Sequence, residues 1–185
     1  IRAEESEKIS AFDDMTLVQL IVERGVDALS ELPNGIRQNK EATAETIENN
    51  IRRVIIDEQP VNPKYYEKMS ELLDALIQER RQQKIEYEKY LARIVELTKK
   101  VKNPAGGTSY PTSLNTNAKR ALYDNLDKNE HLATAVHEAV VANKEDEFRA
   151  HPIKLKKVRY AIRKVLNDEQ ATDRILEIVK NQIEY

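Results

Sequence analysis

The sequence predicts an all-α protein, an irregular multi-helix bundle of about eight to nine helices arranged around a central helical hairpin. Three observations carry that expectation. Apolar residues return at intervals of three and four through most of the chain, and no stretch alternates apolar with polar residues as a half-buried strand would. Only four Gly and six Pro interrupt 185 residues, so breaks are few and well placed. Hydrophobic residues make up 40% and charged residues 34%, the balance of amphipathic helices with solvated faces rather than of a disordered tail. A chain of this length suits one domain or two small helical layers and buries about two thirds of its unfolded surface.

Read in order, residues 1–33 hold short helices. Leu17, Leu20, Ile21 and Val22 make an apolar turn-and-a-half stopped near Gly25, and a second short helical turn ends before Pro33. Pro33, Asn34 and Gly35 form a break. Residues 36–102 form the hairpin region, with three helices. Ile47, Ile51, Val54 and Ile55 stripe the first, which stops before Pro60. Asn62 and Pro63 open the second, an acceptor followed by a residue whose missing N–H costs nothing at a helix start. Tyr66, Met69, Leu73, Leu76 and Ile77 share a face of it. Tyr87, Tyr90, Leu91, Ile94, Leu97 and Val101 mark the third, and the short turn at Gln82 to Lys84 predicts an antiparallel pair. Residues 103–117 lose all periodicity and read as a flexible loop. Residues 118–185 carry four further helices, with starts expected at Asp127 followed by Glu130 and at Asn167 followed by Gln170. Their stripes are Ala118 and Leu122; Leu132, Val136 and Val140; Leu155, Val158, Ile162 and Val165; and Ile175, Ile178, Val179 and Ile183.

Composition narrows the function. The formal charge is −2, so the chain as a whole does not make the positive field of an autonomous nucleic-acid binder, and any DNA contact must be local. There is no Cys, which excludes disulfides, thiolate catalysis and cysteine metal sites and fits a reducing, cytoplasmic interior. No apolar run approaches the roughly 20 residues of a membrane span, and no basic and apolar leader opens the chain. The start at Ile1, directly in a charged helical pattern, is the expectation for a segment of a longer protein.

No catalytic constellation emerges. Gly106, Gly107 and Thr108 lack the Lys that a phosphate-binding loop requires and read as a flexible turn. No Lys has an acidic residue two positions before it, so the acid-x-Lys element that closes many restriction-type nuclease centres is missing from these residues. His131 and His137 are six apart, about 120 degrees out of alignment on a helix, and cannot pair as zinc ligands; with His151 they read as surface or partly packed histidines. The expectation is therefore no catalytic, cofactor-binding or metal-binding residue, and a segment that is not itself an enzyme.

Two groups remain as candidate contacts. Residues 152–164, PIKLKKVRYAIRK, hold six basic residues and no acid, and Lys156, Arg159 and Arg163 share a ridge that suits DNA phosphates or an acidic partner. The competing reading is a solvated face balanced by Asp168, Glu169, Asp173 and Glu177 downstream. Tyr supplies eight of the ten aromatic residues, and an amphipathic ring suits either a wet-edged core or an interface. Tyr65, Tyr66, Arg80 and Arg81 are the candidate protein interface.

The run ETIENNIRRVIIDEQPVNPKYYEKMSELLDALIQERR, from Glu45 to Arg81, followed by EYEKYLARIVELTKKV, resembles the C-terminal helical region of the R subunit of type I restriction enzymes. RALYDNL, VRYAIRKVL and ILEIVKNQIEY resemble the end of the same region, so the likeness covers most of the chain; it rests on helical pattern, without a catalytic signature. The resemblance implies a parent subunit with a nuclease domain and two helicase-like motor domains that use ATP and Mg2+ to translocate DNA, with residues 1–33 continuing from the motor. It further implies a non-catalytic region that docks onto the modification and specificity subunits. The alternatives are a helical clamp on duplex DNA and a brace packed on the motor of its own chain; none involves a membrane.

Overall fold

The computed structural model describes residues 16–107 and 109–185; of the segment expected over residues 1–33, residues 1–15 lie outside the described residues, as does Thr108. Helices are α1 (Leu17–Arg24), α2 (Asn34–Arg37), α3 (Lys40–Glu58), α4 (Pro63–Arg81), α5 (Tyr87–Lys102), α6 (Pro104–Gly107), α7 (Asn117–Asn125), α8 (Glu130–Asn143), α9 (Pro152–Leu166) and α10 (Glu169–Lys180), with a 3-10 turn at Gly25–Glu31. No strand occurs among the described residues. The expected all-α, multi-helix architecture is present. Two of the ten helices among the described residues, α2 and α6, are single turns of four residues too short to show a periodic signal.

The chain divides into two compact units. The first takes the described residues of Ile1–Ile56 together with those of Met69–Thr108. Thr16 starts α1 by accepting from the Gln19 amide at 3.3 Å. Gly25 ends it with φ +60 and ψ −136, a backbone region closed to side chains with a Cβ, and its N–H reaches the Ile21 carbonyl. Leu17, Leu20 and Ile21 are buried, as are Ile47 and Ile51 of α3 and Ile94 of α5. Arg52 donates to Ser70 Oγ at 2.8 Å and pairs with Asp74, while Glu48, one turn earlier in α3, holds Arg80 further along α4, so the two helices run antiparallel. Arg93 pairs with Glu79 at 2.6 Å across the connection that closes the α4–α5 hairpin.

The second unit takes Asp57–Lys68 and Ser109–Tyr185. Its core is a cluster that includes Leu122, Val136, Phe148, Val158, Ile162 and Ile175, each buried to within about a percent of full enclosure. Asn62 opens α4, accepting from the Tyr65 amide at 3.3 Å, and is itself buried. Its side chain also donates to Asp124 Oδ2 and accepts from Asn125 Nδ2, both at 2.8 Å, so one residue caps α4 and ties that turn to α7.

Two helix starts differ from the sequence reading. The cap of α8 is Asn129, accepting from Leu132 N at 3.0 Å, and that of α10 is Asp168, accepting from Ala171 N at 2.8 Å. Asp127 and Asn167, expected in those roles, have φ of 54° and 51°. An N-cap needs extended backbone, which Asn129 and Asp168 supply; Asn167 instead ends α9 in the left-handed conformation. Ile183 also departs from expectation. It is 101% exposed because α10 stops at Lys180, and the helical register that would have turned it inward stops there.

Candidate functional site

The hairpin of the first unit carries a groove of about 320 Å³. It is lined by Leu72 and Leu76 of α4 and by Ala92 and Leu97 of α5, together with the charged side chains Arg93, Glu96 and Lys100 of α5. The groove exists because α4 carries a leucine outside its core stripe. Leu73 and Leu76 point inward and are buried, while Leu72 is left partly uncovered on the flank, 41% exposed. Arg93 is held by Glu79 and Glu96 by Lys99 at 3.0 Å, so the edge is an ordered set of ion pairs around an apolar trough. Such a groove suits the apolar face of a helix. Sequence reasoning passed over it; the signal was the Leu72–Leu73 doublet, of which a single stripe can absorb only one.

The four residues expected at a protein interface are distributed differently. Arg80 is drawn into the hairpin base. Its Nε donates to Glu48 Oε1 at 2.7 Å, Nη2 to Glu48 Oε2 at 3.1 Å and Nη1 to Glu41 at 3.0 Å. The hydrogen bond to Glu48 is the main cause holding the guanidinium pKa above its ordinary value. The Tyr90 ring lies 5.8 Å beneath it, and the Tyr90 hydroxyl also donates to Glu48. Tyr65 and Tyr66 are buried in the second unit, their rings edge to face at 5.2 Å. Burial, then the Asp124 charge, pushes the Tyr65 hydroxyl up to about 12. Arg81 alone of the four is exposed.

The three residues of the expected basic ridge lie on α9 but in different electrostatic situations. Arg159 bonds Asp173 at 2.9 Å and Glu169 at 2.5 Å, and Arg163 also pairs with Glu169. These bonds lower the Glu169 carboxyl pKa and raise that of Arg159. Lys156 is exposed and has no ion-pair partner among the described residues. Two of the four acids that the sequence offered as balancing charges, Glu169 and Asp173, therefore reach two of the three cations, while Asp168 caps α10 and Glu177 pairs with Lys180.

A polar cleft of about 510 Å³ in the second unit is lined by Lys64, Glu67, Asp124, Asn125, Asp127 and Arg174 among others. Its charges are mixed, and Asp124 is occupied by the Tyr110 hydroxyl at 2.6 Å and by Asn62. No group of three or more His, Cys, Asp or Glu side chains comes together in metal-holding geometry among the described residues. His131 and His151 are exposed, and His137 bonds Tyr185.

No family model, no curated protein and no solved structure matches this chain. Among the described residues no helix is long and apolar enough to cross a membrane.

Proposed function

We propose that this chain is a non-catalytic helical assembly module of a type I restriction R subunit, docking an ATP-dependent DNA translocase and nuclease onto the cytoplasmic methyltransferase–specificity core. The observation that carries the reading is the α4–α5 groove, an apolar trough with charged residues in its lining, formed by residues of two helices that all fall within the segments bearing the family resemblance. A helix of the modification core would bury Leu72 there, with Arg93 and Glu96 setting its direction. The DNA-clamp reading draws less support, because two of its three cations, Arg159 and Arg163, are already held by carboxylates of α10.

The test is light scattering after size-exclusion chromatography of the methyltransferase core mixed with the full R subunit, wild type or Leu72→Asp. Leu72 lies outside the α4 stripe and is 41% exposed, so the substitution should leave the helical circular dichroism signal unchanged. Loss of the complex with ATPase activity retained supports docking through this groove. An intact complex with Leu72→Asp, and again with the whole region deleted, overturns the assembly role in favour of a clamp or a brace on the motor.

A further inference from the structure

The outward face of α9 has a second arrangement, independent of the groove and of the restriction reading. Ile153 and Tyr160 are 75% and 60% exposed, the two large apolar side chains that this helix leaves in solvent. They are seven residues apart, so they stack two turns and about 10.5 Å from one another along a single line. That line lies opposite the side that buries Val158 and Ile162. On one flank of it stand Lys156 and Arg163, and on the other Lys157 and Lys164, again in pairs seven apart. The helix carries six basic residues and no acid.

Ile153 and Tyr160 form a short apolar seam of one residue in seven, and cations fill the positions three and four residues on, along both of its sides. The local acids lie at the edges rather than over the seam. Glu145 reaches Lys157 at 2.9 Å, and Glu169 and Asp173 reach Arg159 and Arg163 from α10. The Lys164 ammonium sits 5.3 Å from the Tyr160 ring centre, over its face. Lys156 completes no ion pair among the described residues.

We propose that this face of α9 docks an acidic amphipathic helix of a partner protein, with Ile153 and Tyr160 covered by the partner's apolar stripe and the flanking cations paired with carboxylates on both sides of it. Charge complementarity selects that occupant. A second copy of this chain would set cations against cations along both flanks, which costs affinity and removes self-pairing. A phosphate backbone would meet the lysines but leave Ile153 without an apolar cover, and Ile153 is the most exposed residue of the line.

Fluorescence anisotropy tests this with a dye-labelled synthetic peptide of about three heptads, Leu at its seam and Glu on both flanks, titrated with the full chain. Saturable binding is expected, weakening with added salt. Two double variants, Ile153→Ser with Tyr160→Ser and Lys156→Glu with Lys164→Glu, are each expected to weaken it about tenfold or more. All four side chains are exposed, so circular dichroism of both variants should match wild type. Absence of binding overturns the proposal. So does an affinity unchanged by the serine pair, or equal binding of a peptide with the same composition and a scrambled seam, because unspecific charge attraction would then explain the result. Tighter binding of a dye-labelled DNA oligonucleotide with the same dependence on Tyr160 would overturn it in favour of a nucleic-acid surface.

Discussion

Tyr90 donates its hydroxyl to Glu48 Oε1 over 2.9 Å, joining α5 to α3 through a carboxylate that is 5% exposed and also binds Arg80. A carboxylate taken that far from water is stable only when its oxygens are satisfied, and here both are. Removing it leaves a guanidinium whose side chain is only 10% exposed, with Glu41 as its remaining partner, and a buried hydroxyl without its acceptor. Glu48→Ala should therefore cost about 3–5 kcal/mol in urea unfolding. Replacing both partners, Glu48→Leu with Arg80→Met, should recover most of that loss, because the penalty lies in the stranded charge more than in the lost pair. A double variant no more stable than Glu48→Ala would show that the ion pair itself supplies the stability.

Buried and partly buried tyrosines should set the alkaline limit. Burial raises the hydroxyl pKa of Tyr65, Tyr66, Tyr90, Tyr110 and Tyr185 above the ordinary 10, in the case of Tyr65 to about 12. Above pH 10 the unfolded chain releases these protons while the folded chain keeps them, so the stability they support is complete below pH 10 and is lost as pH rises through the folded values. Unfolding free energy should fall steadily above pH 10, with tyrosinate absorbance rising together with loss of helix. Tyrosinate absorbance that develops fully while the helix signal persists would contradict this.

The helices were legible in the sequence because a stripe such as Ile47, Ile51 and Ile55 is a local pattern, and each of these residues is indeed buried. Helix starts were legible only to within a residue or two. Asp127 and Asn129, or Asn167 and Asp168, are equally good acceptors, and backbone conformation rather than side-chain type decides between them. The surfaces were least legible. Arg80 looked like a free surface cation because its partner Glu48 lies 32 positions away, beyond the reach of any helical period. Ile153 and Tyr160 sat inside a basic run whose charge drew attention away from the apolar line through it.

Acid should weaken the second unit through His137. Its Nδ1 lies 2.6 Å from the Tyr185 hydroxyl, and burial, followed by the charge of Lys119, lowers its pKa below the ordinary 6.5. Glu184 and Glu138 oppose the shift without reversing it. In the window below 6.5 the unfolded chain binds the proton that the folded chain resists, so this contribution is complete above pH 6.5 and is lost as pH falls through the folded value. Protonation makes both ring nitrogens donors, so the Tyr185 hydroxyl can then only accept from Nδ1. Stability measured by urea between neutral pH and about pH 5 should fall more steeply for wild type than for His137→Gln. Parallel curves would assign the acid sensitivity to other groups.

The junction between α9 and α10 separates two roles that adjacent residues play. Asp168 caps α10 through the Ala171 amide at 2.8 Å, with its charge at the positive end of the helix, and its own carbonyl accepts from Thr172 Oγ1 at 2.6 Å. Asn167 contributes the left-handed turn, φ 51° and ψ 35°, that lets the chain leave α9. Asp168→Ala should cost about 0.5–2 kcal/mol by loss of the cap, whereas the carbonyl bond to Thr172 survives. Asn167→Gly should be close to neutral, since Gly takes the left-handed conformation freely, while Asn167→Val should be worse than Asp168→Ala because its branched Cβ opposes that conformation. If denaturation midpoints rank Asn167→Val as harmless, the left-handed turn is not what fixes the direction of α10.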